Sequence, residues 1–151
     1  MLNKKICIFG PPCVGKTTLA YTALKNKIPS FTTHDNPFMV GGREEFFTHI
    51  LNLDIPLFLD SGGLNIDWLD GKTGGEVDTK AVLLLPPRDV YLERERIDIE
   101  NRGEGKNQNG IQYYDDLMES KSIFDLVIED VLSPQEIFDY IIETMELKNE
   151  L

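Results

Sequence analysis

Cysteine is scarce in this chain of 151 residues, with Cys7 and Cys13 as the whole complement. Two thiols so close together cannot build a disulfide framework. Cys7 falls in an apolar run and reads as a small core residue. Cys13 lies in a short loop, where a redox-sensitive thiol competes with a plain loop filler. Long apolar runs are missing too: none approaches the roughly 20 residues that a membrane span requires. The start, Met1-Leu2-Asn3-Lys4-Lys5, leads straight into a short apolar strand. It has neither the apolar core nor the small-residue cleavage site of a secretion signal, so the expected location is the cytoplasm. Positive charge is in deficit, with 15 Lys and Arg against 26 Asp and Glu and a net charge of −11. Nucleic acids are held mainly by Lys and Arg neutralising phosphates, so this balance disfavours general nucleic-acid coating and leaves only a local basic cleft.

What is present reads as one globular domain over residues 1–151. Apolar residues make up 41% and charged residues 27%, enough of the former for a core and too few of the latter for disorder. No repeat, low-complexity tract or linker divides the chain. Short apolar runs alternate with helical stretches, the mark of a parallel α/β sheet. Strands are expected at Ile6–Phe9, Ile28–Thr33, Leu57–Leu59, Ala81–Leu85 and Leu126–Ile128. Helices are expected at Gly15–Lys25, Arg43–Leu53, Arg88–Asp98 and Tyr113–Ser120. Asn101–Gly110 holds three Gly and three Asn and no apolar residue, which reads as a mobile loop. Ser133-Pro134-Gln135-Glu136 opens a last helix, to about Leu147, with a capping Ser, Pro in the first turn and Glu at the capping-box position. Gly71, Gly74 and Gly75 mark a surface loop after Trp68, itself read as a packing residue ahead of a substrate contact.

The strongest signal is Gly10-Pro11-Pro12-Cys13-Val14-Gly15-Lys16-Thr17. It fits G-x-x-x-x-G-K-[ST] at every fixed position, between an apolar strand and the helix continued by Thr18-Leu19-Ala20. The glycines let the backbone curl so that successive N–H groups converge on phosphate oxygens. The helix aims its positive end at the same point. Lys16 supplies a point charge for the β- and γ-phosphates, and the Thr17 hydroxyl is a hard ligand for Mg²⁺. A guanine-reading N-K-x-D is absent, although Asp60-Ser61-Gly62-Gly63 mimics the D-x-x-G of GTPases.

Several weaker matches follow in order. Gly42-Arg43-Glu44 with Ile50-Leu51, Ser61-Gly62-Gly63 after a strand, and Ala81–Leu85 with Pro87, Val90 and Leu92-Glu93-Arg94 are followed by Tyr114 and Leu117. Phe124–Ile128 and Leu132–Glu136 close the series. In this order the chain resembles the nucleotide-kinase and shikimate-kinase-like group of P-loop kinases over nearly its whole length. The resemblance implies a three-layer P-loop NTPase fold, a five-stranded parallel sheet in the order 2-3-1-4-5, a short lid at about residues 97–112, and ATP with Mg²⁺ as cofactors. It places base contacts in loops near Arg94–Arg102 and Asp130–Pro134, which do not fix ATP over GTP. Two departures argue against shikimate as acceptor: Thr32-Thr33-His34-Asp35 lacks an intact D-x-D, and no Arg precedes Tyr113.

In such kinases transfer depends on positioning and charge neutralisation. Lys16, Asp35, Asp60 and Arg102 are the expected catalytic residues. Gly10 to Thr18 (Pro11, Pro12, Cys13, Val14, Gly15, Lys16 and Thr17 between them) form the nucleotide loop. Thr17 and Asp60 are the metal candidates. Asp35 and Asp60 follow strands on the side where ligands bind in open α/β sheets. One orders metal-bound water and one accepts the acceptor hydroxyl's proton, with Asp35 the first choice for base; a helix or turn cap is the plainer reading of each. His34 and Arg43 are candidates for facing the acceptor, and Ser61, Gly62 and Gly63 allow close backbone approach. Charge alternation over Glu93–Asp98 reads as a solvated helix face that includes Arg94. Arg102, ahead of Arg96 and Lys106, is the lid cation expected to meet the transferring phosphoryl group.

The expected activity is transfer of the γ-phosphoryl group of ATP to a small hydroxyl- or phosphate-bearing acceptor, by a monomer or homodimer. The alternatives are a kinase acting on a nucleic-acid hydroxyl and a nucleotide-binding regulatory module or slow ATPase.

Overall fold

The three inner strands are the most apolar segments of the chain, and a parallel sheet covered on both faces requires that. In the computed structural model, which describes residues 5–11, 14–32, 53, 55–60, 79–102 and 110–145, β1 spans Lys5–Phe9 with every residue buried. β2 is Ser30–Thr32, β3 Leu57–Asp60, β4 Thr79–Leu84 and β5 Leu126–Ile128. They form one five-stranded sheet in the order β2-β3-β1-β4-β5. Every pairing is parallel, with Cys7 lying between Leu59 and Ala81 and Ile8 between Asp60 and Val82. This is the order and architecture that the resemblance implies. Cys7 is fully buried in the core of β1.

Parallel neighbours need crossovers, and among the described residues helices supply those from β1 to β2 and from β4 to β5. Helix α1 spans Lys16–Lys25, α2 Arg88–Arg102, α3 Gly110–Ser120 and α4 Pro134–Thr144, with a 3₁₀ turn at Lys121–Ile123. Leu19 and Ala23 of α1 and Phe138 and Ile141 of α4 join the core formed by Ile6, Ile8, Phe58 and Leu83. Phe138 lies with its ring 5.5 Å from that of Phe58, and Asn26 Nδ2, just past α1, donates to Gln135 Oε1 at 3.1 Å. Helix α4 starts as its sequence dictates: Glu136 N donates to Ser133 Oγ at 3.1 Å, Ser133 N donates to Glu136 Oε1 at 3.0 Å, and Pro134 takes the first turn. Among the described residues no helix is long and apolar enough to cross a membrane.

Several boundaries differ from the sequence reading. Ile28 and Pro29 lie outside β2: Ile28 N donates to Ala23 O at 3.0 Å, closing α1, after Lys27 turns the chain at φ 67°. Thr79 and Lys80 belong to β4, paired with Lys5 and Ile6. Asn101, Arg102 and Gly110 are helical, where the sequence reading put them in the Gly/Asn-rich loop. Gly110 marks a close approach: a Cβ there would collide with the Tyr91 hydroxyl and the Glu95 carboxylate. Lys5 is buried as well, its ammonium donating to the carbonyls of Leu53 and Ile55.

Candidate nucleotide-binding site

At the end of β1 the backbone passes Gly10, where a Cβ would stand 2.8 Å from the Leu84 carbonyl oxygen and 2.7 Å from Val14 Cγ2. Only a glycine lets the loop lie this close to β4. Gly15 sits immediately before α1 in the left-handed region at φ 95°, again a glycine conformation. No side chain caps this helix end, and its first turn carries no acidic residue. The helix start and its dipole thus meet an incoming anion without competition from a carboxylate of that turn.

Lys16 Nζ donates to Gly10 O at 2.7 Å and to Pro11 O at 2.9 Å, which folds its long side chain back along the loop. Thr17 Oγ1 donates to Asp60 Oδ2 at 3.0 Å. Asp60 ends β3, one strand over from β1, and is only 1% exposed. A hydroxyl and a carboxylate brought together beside a phosphate loop are the hard oxygen donors that Mg²⁺ takes, so these residues fit that ion.

Beyond the loop opens a cleft of about 180 Å³. Val14, Gly15 and Thr18 form its inner end, Leu84 ends β4 with Pro86 just beyond it, Asp130 and Leu132 come from the turn between β5 and α4, and Pro134 opens α4. The wall at Pro86 is braced from outside: the Tyr114 hydroxyl donates to Pro86 O at 2.6 Å, and Leu85 N donates to Ile128 O at 2.9 Å. Burial raises the pKa of Tyr114, which keeps its hydroxyl a donor.

No family model and no curated protein matches the sequence. Solved structures do match across almost the whole chain. Shikimate kinase from Acinetobacter baumannii in complex with shikimate is 20% identical, with a TM-score of 0.64, 100% of this chain covered and 96% of that one. A gluconokinase from Sinorhizobium meliloti is 13% identical, with a TM-score of 0.60 and coverages of 97% and 98%. Deoxyadenosine kinase from M. mycoides is 16% identical, with a TM-score of 0.54 and coverages of 94% and 98%. The chain has the small P-loop kinase fold.

Within this P-loop kinase fold the structure brings Gly10, Pro11, Val14, Gly15, Lys16, Thr17, Thr18 and Asp60 to one end of the sheet. Pro12, Cys13, His34, Asp35, Arg43, Ser61, Gly62, Gly63 and Lys106 lie outside the described residues, as do the segment with Trp68 and all of the expected helix Arg43–Leu53 except Leu53, which is not helical. Arg102 closes α2. Arg96 is committed elsewhere, bonded to Glu93 at 2.6 Å and Glu100 at 2.5 Å on an exposed face, and these carboxylates hold its pKa above the usual arginine range. Arg94 corrects the sequence reading. It is half-buried and lines the cleft instead of joining the solvated face. The charge alternation concealed it, because a helix turning 100° per residue separates Arg94 from the paired stripe of Glu93, Arg96 and Glu100. Leu132, another lining residue, falls in the Asp130–Pro134 stretch where the resemblance places base contacts.

Proposed function

We propose that the protein is a Mg-ATP-dependent phosphotransferase that moves the γ-phosphoryl group to a small hydroxyl- or phosphate-bearing acceptor: a nucleotide, a nucleoside or a metabolite. The observation that carries this reading is the convergence, at the start of α1, of Lys16, the Thr17–Asp60 pair and the cleft. The solved structures sharing the fold include kinases of shikimate, gluconate-type and deoxyadenosine-type acceptors, which supports a small acceptor. The net charge of −11 disfavours nucleic acid.

In this reading the loop from Gly10 to Thr18 wraps the triphosphate, and the cleft takes sugar and base. Lys16 leaves the loop carbonyls to engage the β- and γ-phosphates. Thr17 and Asp60 would hold Mg²⁺. The chemistry that Mg²⁺ would supply there is neutralisation of phosphate charge. Asp35 is the proposed base toward the acceptor hydroxyl, His34, Arg43 and Ser61–Gly63 form the acceptor side, and Arg102 closes over the transferring group. The protein acts in the cytoplasm as a monomer or homodimer.

The test is ADP release from Mg-ATP, alone and with pooled nucleosides, nucleotides, small metabolites and DNA. One small-molecule pool should accelerate release, and Lys16→Ala should abolish the stimulation by about a hundredfold or more. Stimulation by the DNA pool alone would replace the acceptor class. A flat rate with every pool, beside intact nucleotide binding, would replace the kinase reading with a regulatory nucleotide-binding module.

A further inference from the structure

Arg94 lines the cleft from α2, and among the described residues it makes no hydrogen bond or ion pair. No partner side chain aims its guanidinium, so the roll of α2 about its own axis does. At about 100° per residue, Tyr91 stands between Arg94 and Glu95 around the helix, about 60° from the first and about 40° from the second. Tyr91 is fully buried, and its hydroxyl donates to Glu95 Oε2 at 2.9 Å. The roll that places Arg94 is therefore decided by what this pair rests on.

It rests on Gly110. A Cβ at this position would collide with both the Tyr91 hydroxyl and the Glu95 carboxylate, so α3 begins in direct contact with the pair. Gly110 does not lie in the left-handed region, so contact and not backbone conformation excludes a side chain there. The Tyr91 ring cannot retreat, because it stacks on Tyr114 at 5.0 Å and the Tyr114 hydroxyl is bonded to Pro86 O. Glu95 is half-buried and can swing outward only by giving up the bond from Tyr91. A side chain at position 110 is thus accommodated by rolling α2. A side-chain tip about 6 Å from a helix axis moves about 1.5 Å for a roll of about 15°, enough to break a hydrogen bond made by that tip. Tyr91, Glu95 and Gly110 themselves do not line the cleft.

We infer that Gly110 is a positioning residue of the nucleotide site: by seating the Tyr91–Glu95 pair directly on the start of α3, it fixes the roll of α2 and aims Arg94 into the cleft. Gly110 touches no ligand in this role, which presupposes the nucleotide reading above and holds for either purine.

The test measures Mg²⁺-supported binding of ATP and of GTP and follows whichever wild type binds more tightly. Arg94→Ala should weaken it about tenfold, the factor that one hydrogen bond to a charged group confers. Gly110→Ala should weaken it about fivefold. In the Arg94→Ala background the same change should alter binding by less than about twofold, because the cation it displaces is already gone. A general loss of structure would instead weaken binding by the same factor in both backgrounds. Adding Tyr91→Phe to Gly110→Ala removes the hydroxyl that the new methyl meets, and should bring binding back to within about twofold of wild type. Glu95→Ala serves where Gly110→Ala does not fold, since it removes half of the seat without adding an atom; it should weaken binding about threefold, and only where Arg94 is present. Equal factors in the two backgrounds, or wild-type binding by Gly110→Ala or by Arg94→Ala, would overturn the inference and leave the nucleotide site standing. Failure of wild type to bind either nucleotide would overturn both.

Discussion

Replacing Tyr114 by Phe removes one oxygen atom from a site where its contribution is well isolated. Tyr114 is 1% exposed, and its hydroxyl donates to Pro86 O at 2.6 Å. The aromatic ring does a separate job: it stacks on Tyr91 with centroids 5.0 Å apart and planes inclined by 23°. Phenylalanine keeps that stack and the filled volume, so neither a cavity nor a lost ring contact enters the balance. The carbonyl of Pro86 remains buried and loses this donor. Leaving a buried acceptor without its partner costs about 1–3 kcal/mol. For a domain of this size, about 2 kcal/mol lowers the melting temperature by about 4–8 °C. Thermal unfolding and urea titration of Tyr114→Phe should show that drop with an unchanged urea slope, since the surface exposed on unfolding is the same. A melting temperature within about 1 °C of wild type would refute the reasoning, because the bond would then contribute nothing net.

Two further predictions address the loop and the last helix. Gly10→Ala places a Cβ 2.8 Å from the Leu84 carbonyl oxygen, which belongs to a central strand and cannot swing away; it should cost about 1–3 kcal/mol in urea unfolding and weaken nucleotide binding with it, and wild-type stability would contradict the close approach. Glu136 has its pKa lowered by its bonds from the Ser133 backbone and side chain, so its contribution is present above the unfolded glutamate value of about 4.3 and is lost as pH falls through the lower folded value. Wild type should therefore lose its stability advantage over Glu136→Gln as the pH of the denaturation series is brought below about 4, whereas a constant difference across the series would show that the carboxylate charge is not involved.

The nucleotide loop was legible because its chemistry is local. Gly10, Gly15, Lys16 and Thr17 must stand at fixed spacing in one turn of backbone, and the same holds for the Ser133–Glu136 cap. The apolar runs of β1 and β4 were legible because a strand buried on both faces has no polar side to confuse the pattern. What failed depended on contacts between distant segments. Gly110 carries a loop signal in sequence, yet it opens α3, and Tyr91 and Glu95 occupy the space a side chain there would need. Thr79 and Lys80 look like loop residues and are held in β4 by pairing with β1. Arg94 is indistinguishable by composition from Arg96, and only the placement of α2 turns one toward the cleft and the other toward Glu93 and Glu100.

The two outermost strands of the sheet, β2 and β5, have three residues each, against five in β1 and six in β4. A sheet invites growth at its margins, where an unpaired row of N–H and C=O groups can template a foreign strand. Among the described residues each margin offers only a short row, a poor template for one. A surface carrying a net charge of −11 also keeps neighbouring molecules apart. Short margins and a strong net charge therefore act together against edge-to-edge stacking of copies.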